Sequence, residues 1–342
     1  MEKELFYSFM KKIPKAEIHL HIEAVAKLHS IEKLYEKRFG KKITDAERDS
    51  FFSYTDLNGF IQAFLKVQDL FLSVDDFNLV FEDFAEYLSE DNIVYCEAFF
   101  APSAFIKKGF NYKDMIDVFT KNIVKIKRKK NITIKLLLDV SRTFGCENAM
   151  RNYALLKQFP CEHILGIGLG GAEQKGPARE FEPVFTQAHK DGFHAVAHAG
   201  EDVGPESVWD SINLLHAERI GHGITSVEDP KLVDYLKDTQ LPLEICPTSN
   251  VFTKKVVKKI EDHPIRQLYD KNVLVTVNTD DPVFFKVGLI DEYWNLYSKL
   301  NFTMDEIKQL VINGFNSTFL SDAEKKSYIK NVKAAWKKAS AE

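Results

Sequence analysis

The chain has 342 residues, of which 45% are hydrophobic and 28% are charged, and its formal net charge is −4. This composition is ordinary for a soluble protein with a large core, and so small a charge gives no reason to expect nucleic acid or anionic lipid as a partner. The sequence contains no CxxC pair, no apolar run as long as a membrane span and no N-terminal signal peptide. We therefore expect a cytoplasmic protein with reduced thiols.

Eight short β-rich runs recur along the chain, and segments with the helical spacing of apolar residues separate them. The predicted strands are residues 16–22, 93–100, 132–140, 164–170, 193–199, 218–223, 241–246 and 273–278. Eight strand-then-helix units favour a closed parallel barrel over an open doubly wound sheet, although periodicity alone leaves the open sheet possible. The predicted fold is therefore α/β, a (β/α)8 TIM-type barrel with extra helices after the last strand.

The connection between the first two strands is much longer than the other connections. Residues 27–92 have helical periodicity throughout most of their length. In a barrel of this type, the loops that follow the strands build the active site at the C-terminal mouth. We therefore expect residues 1–342 to form a single domain, in which the 27–92 insertion lies over the active-site mouth.

Four motifs place polar side chains at the predicted C-terminal ends of strands. They are HLH at 19–21, HAGED at 198–202, RIGHG at 219–223 and NTDDP at 278–282. Taken singly, each motif has a simpler explanation: an HxH pair is common on strands, a histidine can be satisfied in a turn, and adjacent aspartates can cap a helix. Because all four fall on one rim of the predicted barrel, these separate explanations together become implausible.

The side chains of these motifs suit metal-assisted chemistry. Three histidines and one aspartate supply nitrogen and oxygen donors that suit Zn²⁺, although Fe²⁺ or another divalent ion is also possible. One carboxylic acid, one imidazole and one further aspartate remain. These groups are sufficient for metal-assisted attack of water on a polarised substrate.

The motifs, in this order and together with LEICPTSN at 243–250, resemble the adenosine deaminase family of zinc amidohydrolases, which are built on (β/α)8 barrels. The resemblance extends from about Pro14 to the region of Asn316, and GIGLGGAE at 166–173 is similar to the family's glycine-containing substrate loop. It implies hydrolytic removal of the 6-amino group of a purine, with a small-molecule purine as the partner and with neither nucleic acid nor membrane involved. The oligomeric state stays open.

The resemblance also implies a role for individual residues. Glu201 would protonate purine N1, while His222 and Asp280 would orient and activate the attacking water. Asp281 would hold purine N7, and the backbone of Gly171 would meet N3. The implied zinc ligands are His19, His21, His198 and Asp280.

The residue two positions beyond His21 bears on the choice of substrate. Many family members have Asp-Gly at positions 23 and 24, and that aspartate reaches the ribose 5′-hydroxyl of a nucleoside. This chain has Glu23 and Ala24 instead, as adenine-specific members do, and it has Phe99 where nucleoside enzymes often have arginine. We expect both His21 and Glu23 to contact the substrate.

Other segments resemble nucleoside deaminases, notably GLGGAE at 168–173 and LEICPTSNVFT at 243–253. The main prediction is therefore deamination of adenosine or of a 5′-modified adenosine such as aminofutalosine, and the alternative is deamination of free adenine. Two other classes are an esterase or cyclic amidase on the same fold and a non-catalytic relative. Asp281 and Gly171, which fit a purine edge, argue against the first, and the presence of Glu201 and of every implied zinc ligand argues against the second.

Overall fold

Eight parallel strands follow one another in chain order around a barrel, each paired with the next. The computed structural model describes residues 1–54, 56–253 and 256–342, with Leu57 described by its backbone alone. The strands are β1 (Lys15–Glu17), β2 (Ile93–Phe100), β3 (Thr133–Asp139), β4 (Ile164–Leu169), β5 (His194–Ala199), β6 (Arg219–His222), β7 (Leu243–Ile245) and β8 (Val275–Val277). The predicted (β/α)8 TIM-type barrel is thereby confirmed.

Helices connect the strands and pack against the outside of the barrel. They are α1 (Lys3–Lys11), α2 (Leu28–Phe39), α3 (Asp45–Ser50), α4 (Leu57–Asp69), α5 (Phe77–Glu90), α6 (Ser103–Lys107), α7 (Tyr112–Lys130), α8 (Gly145–Gln158), α9 (Glu182–Lys190), α10 (Pro205–Asn213), α11 (Pro230–Thr239), α12 (Pro247–Thr253), α13 (Ile265–Asp270), α14 (Pro282–Phe285), α15 (Leu289–Lys299), α16 (Met304–Asn316) and α17 (Asp322–Ala339). Within the described ranges, none of these helices has the length and apolar character that crossing a membrane requires.

Short 3₁₀ segments occupy several of the loops that follow the strands. They are Ile22–Val25, Val74–Asp76, Arg142–Phe144, Glu173–Lys175, Ala178–Phe181, Ile224–Glu228 and Ile260–Asp262. Tight turns of this kind keep a loop close to the strand that it follows. They therefore hold side chains from the ends of several strands near the barrel mouth.

The first strand is shorter than the predicted strand over residues 16–22. Its regular pairing ends at Glu17, because the side chain of Asn278 replaces the next backbone partner. The Oδ1 atom of Asn278 accepts hydrogen bonds from the backbone N–H groups of Ile18 at 3.0 Å and His19 at 3.2 Å. A side-chain acceptor from the far end of the chain is invisible to periodicity, so the predicted strand was too long.

Two single bridges lie beyond β1. Leu20 bridges to Asp280, which closes the barrel, and His21 bridges to Phe99 of β2. The backbone N–H of His21 donates to the carbonyl oxygen of Asp280 at 3.0 Å, and the N–H of Asp280 donates to the carbonyl of His19 at 3.1 Å. These bonds join the first and last strands where the HLH and NTDDP motifs lie.

Between β1 and β2, the described residues form four α-helices, α2 to α5. The helix nearest the mouth, α4, begins after Asp56, whose side chain accepts the N–H of Gly59 at 2.8 Å as an N-terminal cap. Its aromatic side chains Phe60 and Phe64 pack against Phe284, which follows β8. The insertion is therefore fastened to the barrel at the same end as the motifs.

We expect Asn278→Ala to lower the free energy of unfolding by about 2–5 kcal/mol, because the buried N–H groups of Ile18 and His19 would lose their acceptor. Chemical denaturation monitored by circular dichroism measures this change. Asn331→Ala, on an exposed position of α17, is the matched control and should change stability by less than about 0.5 kcal/mol. Equal stability of the two variants would contradict this account of the end of β1.

Candidate metal centre and active site

Four side chains from three separate parts of the chain converge at the C-terminal end of the barrel. The Nε2 atoms of His21 and His198 are 3.2 Å apart, and Oδ1 of Asp280 lies 3.3 Å from His21 Nε2 and 3.5 Å from His19 Nε2. One ligand atom from each of the four residues lies within 4.8 Å of all the others. Tetrahedral donors about 2.0–2.1 Å from a zinc ion are about 3.3–3.4 Å apart, so this set fits one divalent cation.

A buried carboxylate orients the first of these histidines. Glu244 Oε2 lies 2.7 Å from His19 Nδ1, while His19 Nε2 is buried and has no hydrogen-bond partner within the described protein. Such a pairing leaves Nε2 free to bind a metal. The carboxylate is in turn paired with Arg219, whose Nε lies 2.6 Å from Glu244 Oε1. Glycine at position 221 leaves room for the imidazole of His19, because a Cβ added there would lie 2.6 Å from His19 Cε1.

Two of the residues at the strand ends have left-handed backbone conformations. His222 has φ of 64° and Asp280 has φ of 66°, a region that few residues other than glycine adopt. Strain of this kind is typical of functional sites, where the surrounding structure holds it in place. Ser249 helps to hold Asp280, because its hydroxyl donates to Asp280 Oδ2 at 2.7 Å.

A chain of hydrogen bonds determines which nitrogen of His222 carries the proton. The backbone N–H of Ile265 can only donate, and it donates to His263 Nδ1 at 3.1 Å. His263 Nε2 must then donate to Asn250 Oδ1 at 3.2 Å, and Asn250 Nδ2 donates to His222 Nδ1 at 3.1 Å. The remaining nitrogen of His222, Nε2, therefore carries the proton of the neutral ring.

That proton points into the catalytic end of the site. His222 Nε2 lies 3.6 Å from Glu201 Oε2 and 3.9 Å from Asp280 Oδ2. Burial, reinforced by the neighbouring histidines, lowers the pKa of His222 to about 3, so its ring is neutral at physiological pH. A neutral imidazole with its N–H directed into the site can orient a polar reactant.

Burial raises the pKa of the two remaining acids, Glu201 and Asp281, whereas it lowers that of His222. Burial raises the pKa of Glu201 well above its usual range, and the charges of Asp280 and Glu173 act in the same direction. Burial and the adjacent Asp280 likewise raise the pKa of Asp281. Both acids can therefore carry a proton at neutral pH, and a protonated carboxyl donates a hydrogen bond. Asp281 Oδ1 is buried with no hydrogen-bond partner in the described residues.

A single cavity collects most of the residues predicted for the site. Seven of them line it: His21, Gly171, His198, Glu201, His222, Asp280 and Asp281. Apolar side chains from α4, the loop after β3 and α14 form much of the remaining wall: Phe60, Ile61, Phe64, Leu65, Phe144 and Phe285. The described lining contains no lysine and no arginine. Imidazole and carboxyl groups therefore share the wall of one cavity with apolar and aromatic side chains.

Two residues singled out in the sequence lie behind this lining. Glu23, in the 3₁₀ turn after His21, is 1% exposed, and its Oε1 accepts the backbone N–H of Ala101 at 3.0 Å. Phe99 is fully buried and stacks on the ring of His21, with centroids 5.2 Å apart and planes inclined at 26°. Ala101 itself lines the cavity. Glu23 thus shapes the cavity through the backbone of its neighbour.

The sequence analysis missed a further carboxylate in the cavity. Asp139 lies at the end of β3, and its Oδ1 accepts the N–H groups of Ser141 at 2.7 Å and Gly170 at 3.0 Å. Its position at a strand end was the same signal that identified NTDDP. The roles of Arg219 and Glu244 were also not predicted, although the two residues stand in the RIGHG and LEICPTSN motifs, because their ion pair follows only from the pairing of β6 with β7.

The fold and the donor cluster together define a metal-dependent hydrolase with a divalent-cation site. A family model described as "Adenosine deaminase" matches residues 14–335, and the chain belongs to that family. The chain is thus a hydrolase acting on C–N bonds, and the resemblance identified in its motifs is confirmed.

Individual relatives narrow the chemistry to purines. The chain is 34% identical to an adenine deaminase of Wolinella succinogenes, over 94% of this chain and 97% of that protein. It is 32% identical to an aminodeoxyfutalosine deaminase of Streptomyces avermitilis, over 96% of this chain and 94% of that one. Among solved structures, the adenine deaminase of Arthrobacter aurescens matches with a TM-score of 0.90 and 28% identity, over 95% of this chain and 99% of that one. These relatives support purine deamination.

We expect Glu244→Gln to weaken binding of a divalent metal about 10- to 100-fold, because an amide cannot hold His19 as a carboxylate does. Competition between the protein and a chromogenic chelator measures that affinity. Glu261→Gln, which makes the same change at an exposed position, should bind the metal as the parent does. An unaltered affinity in Glu244→Gln would show that the carboxylate does not support the metal ligand.

Proposed function

We propose that the protein is a zinc-dependent adenine deaminase, which converts adenine and water to hypoxanthine and ammonia. The observation that carries deamination is the geometry of a single cavity, in which Glu201 Oε2 lies 3.6 Å from His222 Nε2 beside the donor cluster. Burial raises the pKa of Glu201, which favours the protonated form that can donate a proton. Three imidazole nitrogens and one carboxylate oxygen are a donor set that suits zinc. The ligands that we propose are His19, His21, His198 and Asp280.

The roles of the protein groups follow from their protonation states. When bound, a divalent metal supplies Lewis-acid activation of water at neutral pH. Glu201 donates its proton to purine N1 as the water oxygen adds to C6, and the N–H of His222 orients the incoming water. The carboxylate of Asp280 accepts the proton that the water loses. The protonated carboxyl of Asp281 donates to N7, and the backbone of Gly171 meets N3.

The position of Glu23 favours the free base over the nucleoside. In relatives with aspartate at this position, the resemblance assigns the carboxylate to the ribose 5′-hydroxyl. Here the side chain is longer, and its Oε1 is engaged by the backbone of Ala101, behind the cavity lining. Its other oxygen, Oε2, is buried without a hydrogen-bond partner in the described residues, and the anchored carboxylate differs in length and fixation from the aspartate that the resemblance assigns to the ribose. This difference favours the free base. Together with the curated adenine deaminases, it supports the alternative derived from the sequence over the main nucleoside prediction.

A 5′-modified nucleoside is the second candidate, because an aminodeoxyfutalosine deaminase is 32% identical to this chain. A nucleotide carries a phosphate, and a buried anion requires a cationic or hydrogen-bonding partner. The described lining has no lysine or arginine to supply the cation, which favours adenine over nucleotides.

We also propose that residues 1–342 act as one catalytic unit, with the 27–92 insertion forming a wall of the substrate cavity. The side chains of α4 that line the cavity support this: Phe60, Ile61, Phe64, Leu65 and Gln68. An apolar wall of this kind excludes water, which strengthens the electrostatic interactions inside the cavity. The unfavourable ionisation of Glu201 and Asp281 depends on that exclusion.

An ammonia-release assay on adenine, adenosine, aminodeoxyfutalosine and AMP tests the substrate. We expect kcat/KM for adenine to exceed the other three values by at least about tenfold, which corresponds to about 1.4 kcal/mol of transition-state binding. Prior removal of metal by a chelator should abolish ammonia release, and added Zn²⁺ should restore it. A preference for adenosine or aminodeoxyfutalosine would replace the proposed substrate, and chelator-insensitive turnover would remove the metal from the mechanism.

We expect Glu201→Gln to lower kcat by about 10²- to 10⁴-fold, because an amide cannot transfer a proton to purine N1. The metal content should remain that of the parent, since Glu201 is outside the proposed ligand set. Steady-state kinetics and elemental analysis of the same preparation measure the two quantities. Glu206→Gln, an exposed carboxylate five residues further on, is the matched control. Near-normal turnover in Glu201→Gln would refute the role of Glu201.

A further inference from the structure

We propose that Glu173 is a positioning residue, which holds the Glu201 loop in place by tying the loop after β4 to the loop after β5. We name residues 199–204, which begin at the last residue of β5, the Glu201 loop. The effect on turnover rests on the function proposed above, whereas the effect on the loop does not. Glu173 has no part in the metal or substrate contacts assigned above.

One carboxylate accepts hydrogen bonds from nearly the whole Glu201 loop. Oε1 of Glu173 accepts the backbone N–H of Gly200 at 2.7 Å and the hydroxyl of Ser207. Oε2 accepts N–H groups from three consecutive residues, at 3.1, 3.1 and 3.2 Å: Glu201, Asp202 and Val203. Glu173 is only 3% exposed, so these five bonds form away from water.

Successive N–H groups that converge on one point form an anion-binding nest. A backbone N–H that is buried without an acceptor is unfavourable, so the conformation of the loop depends on this carboxylate. The turn requires glycine at position 200, because Gly200 has φ of +66° and an added Cβ would lie 2.6 Å from Thr225 Oγ1. Thr225 holds the other side, since its hydroxyl donates to the carbonyl of Val203 at 3.0 Å. The backbone position of Glu201 is therefore set from two directions.

Glu173 also belongs to the segment that is predicted to meet the purine. It stands two residues after Gly171, at the start of the 3₁₀ segment Glu173–Lys175. The side chain of Glu173 thus connects the segment of Gly171, which is proposed to meet N3, to the loop of Glu201, which is proposed to protonate N1. Arg142 reinforces the junction, because its guanidinium donates to the carbonyl oxygens of Gly176 and His198.

This geometry predicts an effect on rate that is separate from folding. Glutamine at position 173 would have the same size, but its amide NH₂ would face backbone N–H groups that need an acceptor. A displacement of about 1 Å in a catalytic group can lower the rate about 10²-fold. We therefore expect Glu173→Gln to lower kcat about 10- to 100-fold and to change KM less than about threefold, with the metal content of the parent.

The experiment compares Glu173→Gln with Glu180→Gln, which makes the same change at an exposed carboxylate seven residues further on. Steady-state kinetics with adenine and metal analysis are combined with hydrogen–deuterium exchange of the peptide that spans residues 199–204. We expect exchange in that peptide to rise at least about tenfold in Glu173→Gln and to stay at the parental rate in Glu180→Gln. Should Glu173→Gln fail to fold, Glu173→Asp keeps the charge but withdraws it from the nest, and the same three measurements apply.

Each outcome supports or overturns the proposed role of Glu173. If hydrogen–deuterium exchange over residues 199–204 is as slow in Glu173→Gln as in the parent, Glu173 does not hold the Glu201 loop, whatever the activity. Faster exchange with parental kcat would overturn the positioning of Glu201, and a loss of metal in parallel with activity would show a merely structural role. If the parent enzyme does not deaminate adenine, the proposed substrate is wrong. The exchange measurement still tests whether Glu173 holds the Glu201 loop.

Discussion

The closure of the barrel between its first and last strands is the constraint on which the site depends. Backbone hydrogen bonds between His21 and Asp280 and between Asp280 and His19 bring the donors of the two chain ends together. Just before this point, the side chain of Asn278 accepts the N–H groups of Ile18 and His19, so the regular backbone pairing of β1 ends there. His19 and His21 are two residues apart and therefore point to the same face. The bond between the chain ends places Asp280 Oδ1 3.5 Å from His19 Nε2 and 3.3 Å from His21 Nε2.

Burial at the barrel mouth favours the uncharged form of three groups of the cavity, because it raises the pKa of Glu201 and Asp281 and lowers that of His222. Asp280 is the exception: burial opposes its ionisation, but its contacts with His19 and His21 lower its pKa. A site that is dry and contains several acids cannot ionise all of them, because each further charge meets both desolvation and repulsion. The result is a set of hydrogen-bond donors, which matches the ring nitrogens along a purine edge.

Precise placement of these donors comes from buried carboxylates that touch no substrate. Glu244 faces one proposed metal ligand, His19, and Glu173 gathers the N–H groups of the Glu201 loop. Each is offset by a nearby cation, Arg219 for the first and Arg142 for the second. Isolated buried charges would be costly, so these pairs are stable only as complete units. Catalytic geometry in this fold therefore depends on polar side chains packed beneath the strand ends.

Local pattern alone predicted the eight strands, the long insertion after the first of them and the four motifs at the strand ends. These features depend on apolar periodicity and on which residues follow a strand, and both are written within a few neighbouring residues. The end of β1, the Glu244–His19 pair, the proton on His222 and the direction of Glu23 were decided only in the tertiary structure. Each depends on a side chain that meets a partner far along the chain: 225 residues separate His19 from Glu244, and 78 separate Glu23 from Ala101. Hydrogen bonds between such distant groups leave no periodic trace, so only the folded barrel reveals them.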